Sequence, residues 1–215
     1  MTPAIQASTR ATMLAAALAA TMLLGACAPL LIGGAVVGSS MVVTDRRTTG
    51  AQVEDQTIES KSGTRITETI GDRGHINVTS FNRLVLVTGE VPSEADKAAV
   101  EQAISRIENV RSVVNELVIG PPSSFANRSN DTYLTGRVKA SLVDAKDILA
   151  NAYKVVTERS VVYLMGRVTE REAKRGADVA RGVSGVRKVV LVFEVVSEAE
   201  LANLQPAPAA SAPKP

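Results

Sequence analysis

The chain has 215 residues, 45% hydrophobic and 3% aromatic, with one His, one Cys and no Trp. That length accommodates one or two domains and is too short for an eightfold βα barrel with loops. One thiol and one imidazole make neither an internal disulfide nor a Cys/His zinc site, and the net charge of +2 matters less than its distribution.

Arg10 is the only charged side chain before Asp45, and an apolar run from Ala11 to Leu24 follows it. A positive start and a short apolar segment read as a secretory leader, because a helix of that length inserts but spans poorly. The leader ends in Leu24-Gly25-Ala26-Cys27, with two small residues before the only thiol. This is similar to the bacterial lipobox, in which the Cys sulfur receives a diacylglycerol. Residues 1–26 are therefore expected to be the signal peptide and Cys27 the lipidation site, with 27–50 the lipidated N-terminus and tether. Residues 28–43 are apolar and contain Pro29 and three glycines. They are short for a transmembrane helix and read as a segment lying against the bilayer.

A helix is expected over about Gln52–Ile70, weakened by Gly63 and five Thr. Ile76–Thr79 and Leu84–Thr88 then flank a turn, the first run alternating and the second almost continuously apolar. Ser93 reads as the N-cap of a helix over Glu94–Ile107, with Ala95, Ala99, Ala103, Ile104 and Ile107 near helical spacing. Val110–Ile119 closes the unit as a third strand.

The order then repeats. Asn130 or Asp131 reads as the cap of a helix whose Leu134, Val138, Leu142 and Leu149 face a sheet. Tyr153–Thr157 turns into Val161–Gly166, Thr169 opens a helix through Gly182, and Val186–Val196 is the last strand. Val78 aligns with Val155, Gly89 with Gly166 and Val91 with Val168, all 77 residues apart, which marks an internal duplication. The fold class is α+β: two tandem α-β-β-α-β units, 51–119 and 127–196, each with two helices packed on one face of a three-stranded mixed sheet. Residues 120–126 (Gly-Pro-Pro-Ser-Ser onward) read as the linker, and 197–215 as an Ala/Pro-rich disordered tail.

The Gly after each second strand and the Val-Arg-x-Val-Val-like final strands resemble the BON domain, the domain of OsmY-like proteins. Two copies behind a lipobox resemble the dual BON-domain outer-membrane lipoproteins of Gram-negative bacteria. The closest stretches are 44–53 (Thr-Asp-Arg-Arg-Thr-Thr-Gly-Ala-Gln-Val), 129–132 and 165–174. The resemblance implies phospholipid binding and support of envelope integrity. Ala28, where an inner-membrane lipoprotein carries Asp, implies the outer membrane, periplasmic face.

Charge divides by unit. Residues 51–119 carry eleven acidic and seven basic side chains, residues 127–196 eight acidic and thirteen basic. Anionic headgroups attract surface Lys and Arg at roughly 1 kcal/mol each, so the second unit is the candidate membrane reader. By position in the family, Tyr133, Leu134, Arg137, Val138 and Lys139 are the expected phospholipid-binding residues. Spacing alone equally makes Leu134 and Val138 core, and Arg137 and Lys139 a solvated face. His75 precedes a strand with no nucleophile or ligand set beside it in sequence, and no phosphate loop or RNA clamp is present. The expectation is a protein without enzymatic activity, cofactor, metal or nucleic acid, with anionic phospholipids as partners. An alternative is a periplasmic adaptor that binds protein, such as outer-membrane assembly machinery or regulators of cell-wall amidases.

Overall fold

The computed structural model describes residues 45–204. The leader, Cys27, the 28–43 segment and the stretch from 205 lie outside the described residues. The first unit runs α1 (Thr49–Ile70), β1 (His75–Phe81), β2 (Leu84–Val91), α2 (Glu94–Ser105) and β3 (Ser112–Ile119). The second runs α3 (Phe125–Asp144), a 3-10 turn (Ala150–Ala152), β4 (Lys154–Glu158), β5 (Val161–Val168), α4 (Glu170–Arg181) and β6 (Lys188–Val195), followed by α5 (Glu198–Leu204). Each sheet has its second strand in the centre, antiparallel to the first strand and parallel to the third.

The central strands explain their own composition. In β2, Val85, Val87 and Val91 pack with Ile58 and Ile70 of α1 and Val100 and Ile104 of α2. In β5, Val162, Leu164 and Val168 pack beneath Val138 and Leu142 of α3 and Ala173 and Ala180 of α4. The alternate residues point the other way: Leu86 joins Phe81, Tyr163, Met165 and Val192 in a third apolar cluster. The helix-free faces of the two sheets thus bury each other, and continuous apolar runs follow from burial on both sides. Polar contacts between the units surround this seam: Lys154 to Glu59 at 3.0 Å, Asn77 to Glu158 at 2.8 Å and Asn82 to Glu194 at 2.6 Å.

Both hairpins use two-residue turns with two left-handed residues, Asn82 and Arg83 (φ 51° and 66°) and Arg159 and Ser160 (φ 52° and 60°). None is Gly, so an outside group must stabilise each turn. Asp55, buried on α1, accepts from the backbone N–H groups of Asn82 and Arg83, both at 2.8 Å, and from Ser80 Oγ at 2.6 Å. Asp131 on α3 accepts from Arg159 and Ser160 N–H in the same way, both at 2.8 Å. The two aspartates are duplicates of one device. Gly89 and Gly166 are a second: a Cβ on either would strike a backbone carbonyl oxygen, of His75 and Ala152 respectively.

Several expectations are corrected. Neither Asn130 nor Asp131 is the cap of α3; that role falls to Ser124, whose side chain accepts from Asn127 N–H, so the helix takes in Phe125 and Ala126 from the expected linker. The inward side of α2 is Asp96, Val100 and Ile104 rather than the Ala95 and Ala99 positions. Residues 198–204 of the expected disordered tail are helical, with Ser197 Oγ accepting from Glu200 N–H at 3.2 Å and Leu201 buried.

Ser93 caps α2 and Thr169 caps α4, the latter in a full capping box with Glu172. Thr169→Ala is expected to lower stability by about 1 kcal/mol in urea unfolding. An unchanged midpoint would mean that the box contributes nothing.

Candidate functional site

Helix α3 buries Leu134, Val138 and Leu142 against its sheet, at 2%, 0% and 1% exposure. Leu134 and Val138, expected among the lipid-binding residues, are core and present no side chain to a surface. The reason is spacing: they share the stripe of Asp131 and Leu142, which faces β4 and β5.

The opposite side of α3 is unusual. Phe125, Tyr133 and Val143 are 79%, 63% and 60% exposed, with the exposed small residues Gly136 and Ala140 on the same stripe. A helix that is apolar on two sides has one side more than its own core uses. Cations flank this stripe. The Arg137 guanidinium carbon lies 5.7 Å from the Tyr133 ring centroid, and one of its nitrogens donates to the Ser184 carbonyl at 3.0 Å. Lys139, Lys146 and Arg137 enter no ion pair among the described residues, whereas Arg159, Arg175 and Arg181 are matched to Glu90, Asp147 and Asp178. Pairing therefore consumes part of the positive excess of the second unit and leaves part of it on α3.

A groove of about 520 Å³ runs beside the stripe, lined by Lys139, Leu142, Val143, Ala150, Asn151, Tyr153 and Asp45. Asp45, the first described residue, lines this groove together with Lys139 and Val143. Just past it the chain is stapled to both units. Arg46 makes two hydrogen bonds to the Glu172 carboxylate, at 2.7 and 2.8 Å, and one to the Arg167 carbonyl at 2.8 Å. Arg47 donates to Asp55 at 2.8 Å and stacks over the Phe81 ring at 4.3 Å.

Of the expected site residues, Tyr133, Arg137 and Lys139 are brought together at the surface and Leu134 and Val138 are not; Cys27 lies outside the described residues. Phe125 was hidden by its assignment to the linker. The signal for it was Ser123-Ser124 after Pro121-Pro122, a helix start one turn and more ahead of Asn130. Among the described residues, no helix is long and apolar enough to cross a membrane.

The two-layer unit occurs twice, each copy with an aspartate-held hairpin and a glycine within its central strand. Residues 54–121 and 130–197 each match the family model of the BON domain, and the chain belongs to the BON-domain family. It is 38% identical over 183 residues to the "Outer membrane lipoprotein DolP" of Haemophilus influenzae, a match covering 84% of this chain and 94% of that protein. It is 29% identical to the "21 kDa hemolysin" of Actinobacillus pleuropneumoniae, over 71% of this chain and 79% of that one. It is 30% identical to "Osmotically-inducible protein Y" of Escherichia coli, over 53% and 58%.

Proposed function

We propose that this chain is a non-enzymatic lipoprotein of the outer membrane, facing the periplasm, whose second BON domain lays the outer side of α3 on anionic phospholipid and thereby supports envelope integrity. One observation carries the reading: the exposed Phe125–Tyr133–Val143 stripe, flanked by Arg137 and Lys139, borders the groove that Asp45 also lines. Rings and branched apolar side chains seat at the boundary of headgroups and acyl chains, and the cations meet the anionic layer. Acylation at Cys27 would deliver this side of the protein to the bilayer, since several acyl chains hold stably where one does not. The name of the Haemophilus relative, an outer-membrane lipoprotein, supports the location.

The test uses residues 45–204, free of any anchor, in flotation with vesicles. Binding is expected to phosphatidylglycerol-containing vesicles and to fall with salt. Arg137→Glu with Lys139→Glu should weaken it by at least about tenfold. Equal binding to pure phosphatidylcholine, or indifference to the double reversal, would remove the lipid role and leave the protein-binding adaptor as the reading to pursue.

A further inference from the structure

Where the two BON domains meet at the edge of their seam, three ligand-bearing side chains converge. His75 at the start of β1, Glu90 near the end of β2 and Glu158 at the end of β4 place one donor atom each within 4.8 Å of one another. Among the described residues this is the one group of three such side chains. It is not a solvated acidic patch: Glu90 is 0% exposed and Glu158 6%, while His75 keeps some access. A polar cavity of about 220 Å³ opens onto it, lined by His75, Asn77, Arg128, Asp131, Thr135 and Glu158 among others.

The rest of the surroundings orient the carboxylates. Glu90 accepts from the Ser123 N–H at 3.1 Å and from Arg159 at 3.2 Å, and in a very short contact from Ser123 Oγ. Its other link is His75 Nδ1 at 3.3 Å, long for a hydrogen bond. Glu158 accepts from the Asn77 amide at 2.8 Å, and no cationic side chain forms an ion pair with it among the described residues. Two buried carboxylates thus face one imidazole, with the Arg159 guanidinium on the Glu90 side and no ion pair to Glu158 among the described residues.

We infer that His75, Glu90 and Glu158 form a binding site for a divalent zinc-class cation that bridges the two BON domains. One imidazole nitrogen, two carboxylate oxygens and a water from the cavity supply the four ligands of such an ion. Ser123, Arg159 and Asn77 are the outer hydrogen-bond donors that fix ligating carboxylates. The ion replaces the long His75–Glu90 contact, and drawing the donor atoms to about 2.0–2.2 Å from it takes side-chain rotation, for which the cavity gives His75 room. Because His75 and Glu90 belong to the first domain and Glu158 to the second, the ion ties the domains together. This proposal departs from the sequence expectation of no metal, because no short motif encodes the convergence.

His75 is the only histidine of the chain, so its imidazole Hε1 gives a single assignable NMR signal. The full chain in detergent micelles is titrated with ZnCl2. The expected result is a shift of that signal saturating at one equivalent, a visible absorption band when Co2+ replaces Zn2+, and a raised unfolding temperature. Glu158→Gln, which keeps shape and leaves the imidazole as reporter, should weaken Zn2+ binding by at least about tenfold. An imidazole signal that does not move with stoichiometric Zn2+ overturns the site without recourse to any variant. Zn2+ affinity unchanged in both Glu158→Gln and His75→Gln overturns it equally, by placing the ion elsewhere. Vesicle binding through α3 is independent of either result.

Discussion

Asp55→Ala is expected to cost about 3–5 kcal/mol of stability, read as a shift in the urea midpoint at neutral pH. Three consequences of the change act together. The Asn82 and Arg83 N–H groups lose their acceptor in a turn whose two central residues both adopt positive φ without being Gly. The Ser80 hydroxyl, itself buried, loses its partner. The Arg47 guanidinium keeps only Asp45 as its counter-charge. Asp55→Asn, retaining one acceptor oxygen, should recover part of the loss. A midpoint within about 0.5 kcal/mol of the parent would show that the turn stands without its carboxylate.

The same group sets an acid limit. Burial alone would raise the Asp55 carboxyl, but donation from Ser80, Arg83, Asn82 and Arg47 holds it below the ordinary carboxylate range. Glu172 is depressed likewise, with burial opposed by Arg46 and the Thr169 N–H. A carboxylate with a depressed folded value contributes its full stability above its unfolded value, near 3.9 for Asp and 4.3 for Glu. That contribution is lost as the pH falls through the lower folded values. The acid limb of the stability curve should therefore be shallower in Asp55→Ala than in the parent.

Met165→Asp is the second change of large expected effect. Met165 is fully buried among Phe81, Leu86, Tyr163 and Val192, where an ionised carboxylate would lose its hydration. Each domain has its own core beneath its helices, so the seam is the part that yields. The expected result is retained far-UV circular dichroism with a larger radius of gyration in small-angle scattering, and dye binding to the exposed sheet faces. An unchanged radius together with unchanged stability would refute sheet-on-sheet packing. Complete loss of helix signal would instead mean that neither domain folds without the other.

The elements themselves were legible because each carries a local signature: Ser93 and Thr169 as caps, alternation in β1 and an apolar run in β2. The repeat register also brought Gly89 onto Gly166. The seam was less legible. Continuous apolar strands announce burial on both faces, but nothing local says which surface covers the second face. Asp55 and Asp131 were missed for a related reason. A polar residue on the inner side of a helix reads as a break in the stripe until its hairpin partner, about 28 residues on, is brought under it. Ser197-x-x-Glu200 is a capping-box pattern that the Ala/Pro composition beyond it obscured. On α3, Tyr133, Arg137 and Lys139 could be picked out individually. Their continuity with Phe125 and Val143 needed the true start of the helix.

The paired arginines at the entry of the chain have a mechanical corollary. A pull applied at Asp45, where the described chain begins, reaches Arg46 and Arg47 before any helix or strand of the described residues. Arg46 passes its share to α4 through Glu172, and Arg47 passes its share to α1 through Asp55. The load is thus divided between the two domains at the first grip instead of unzipping one from its end. Tension on this end of the described chain would be met by two parallel clamps, and severing either arginine would leave the other to bear the whole strain.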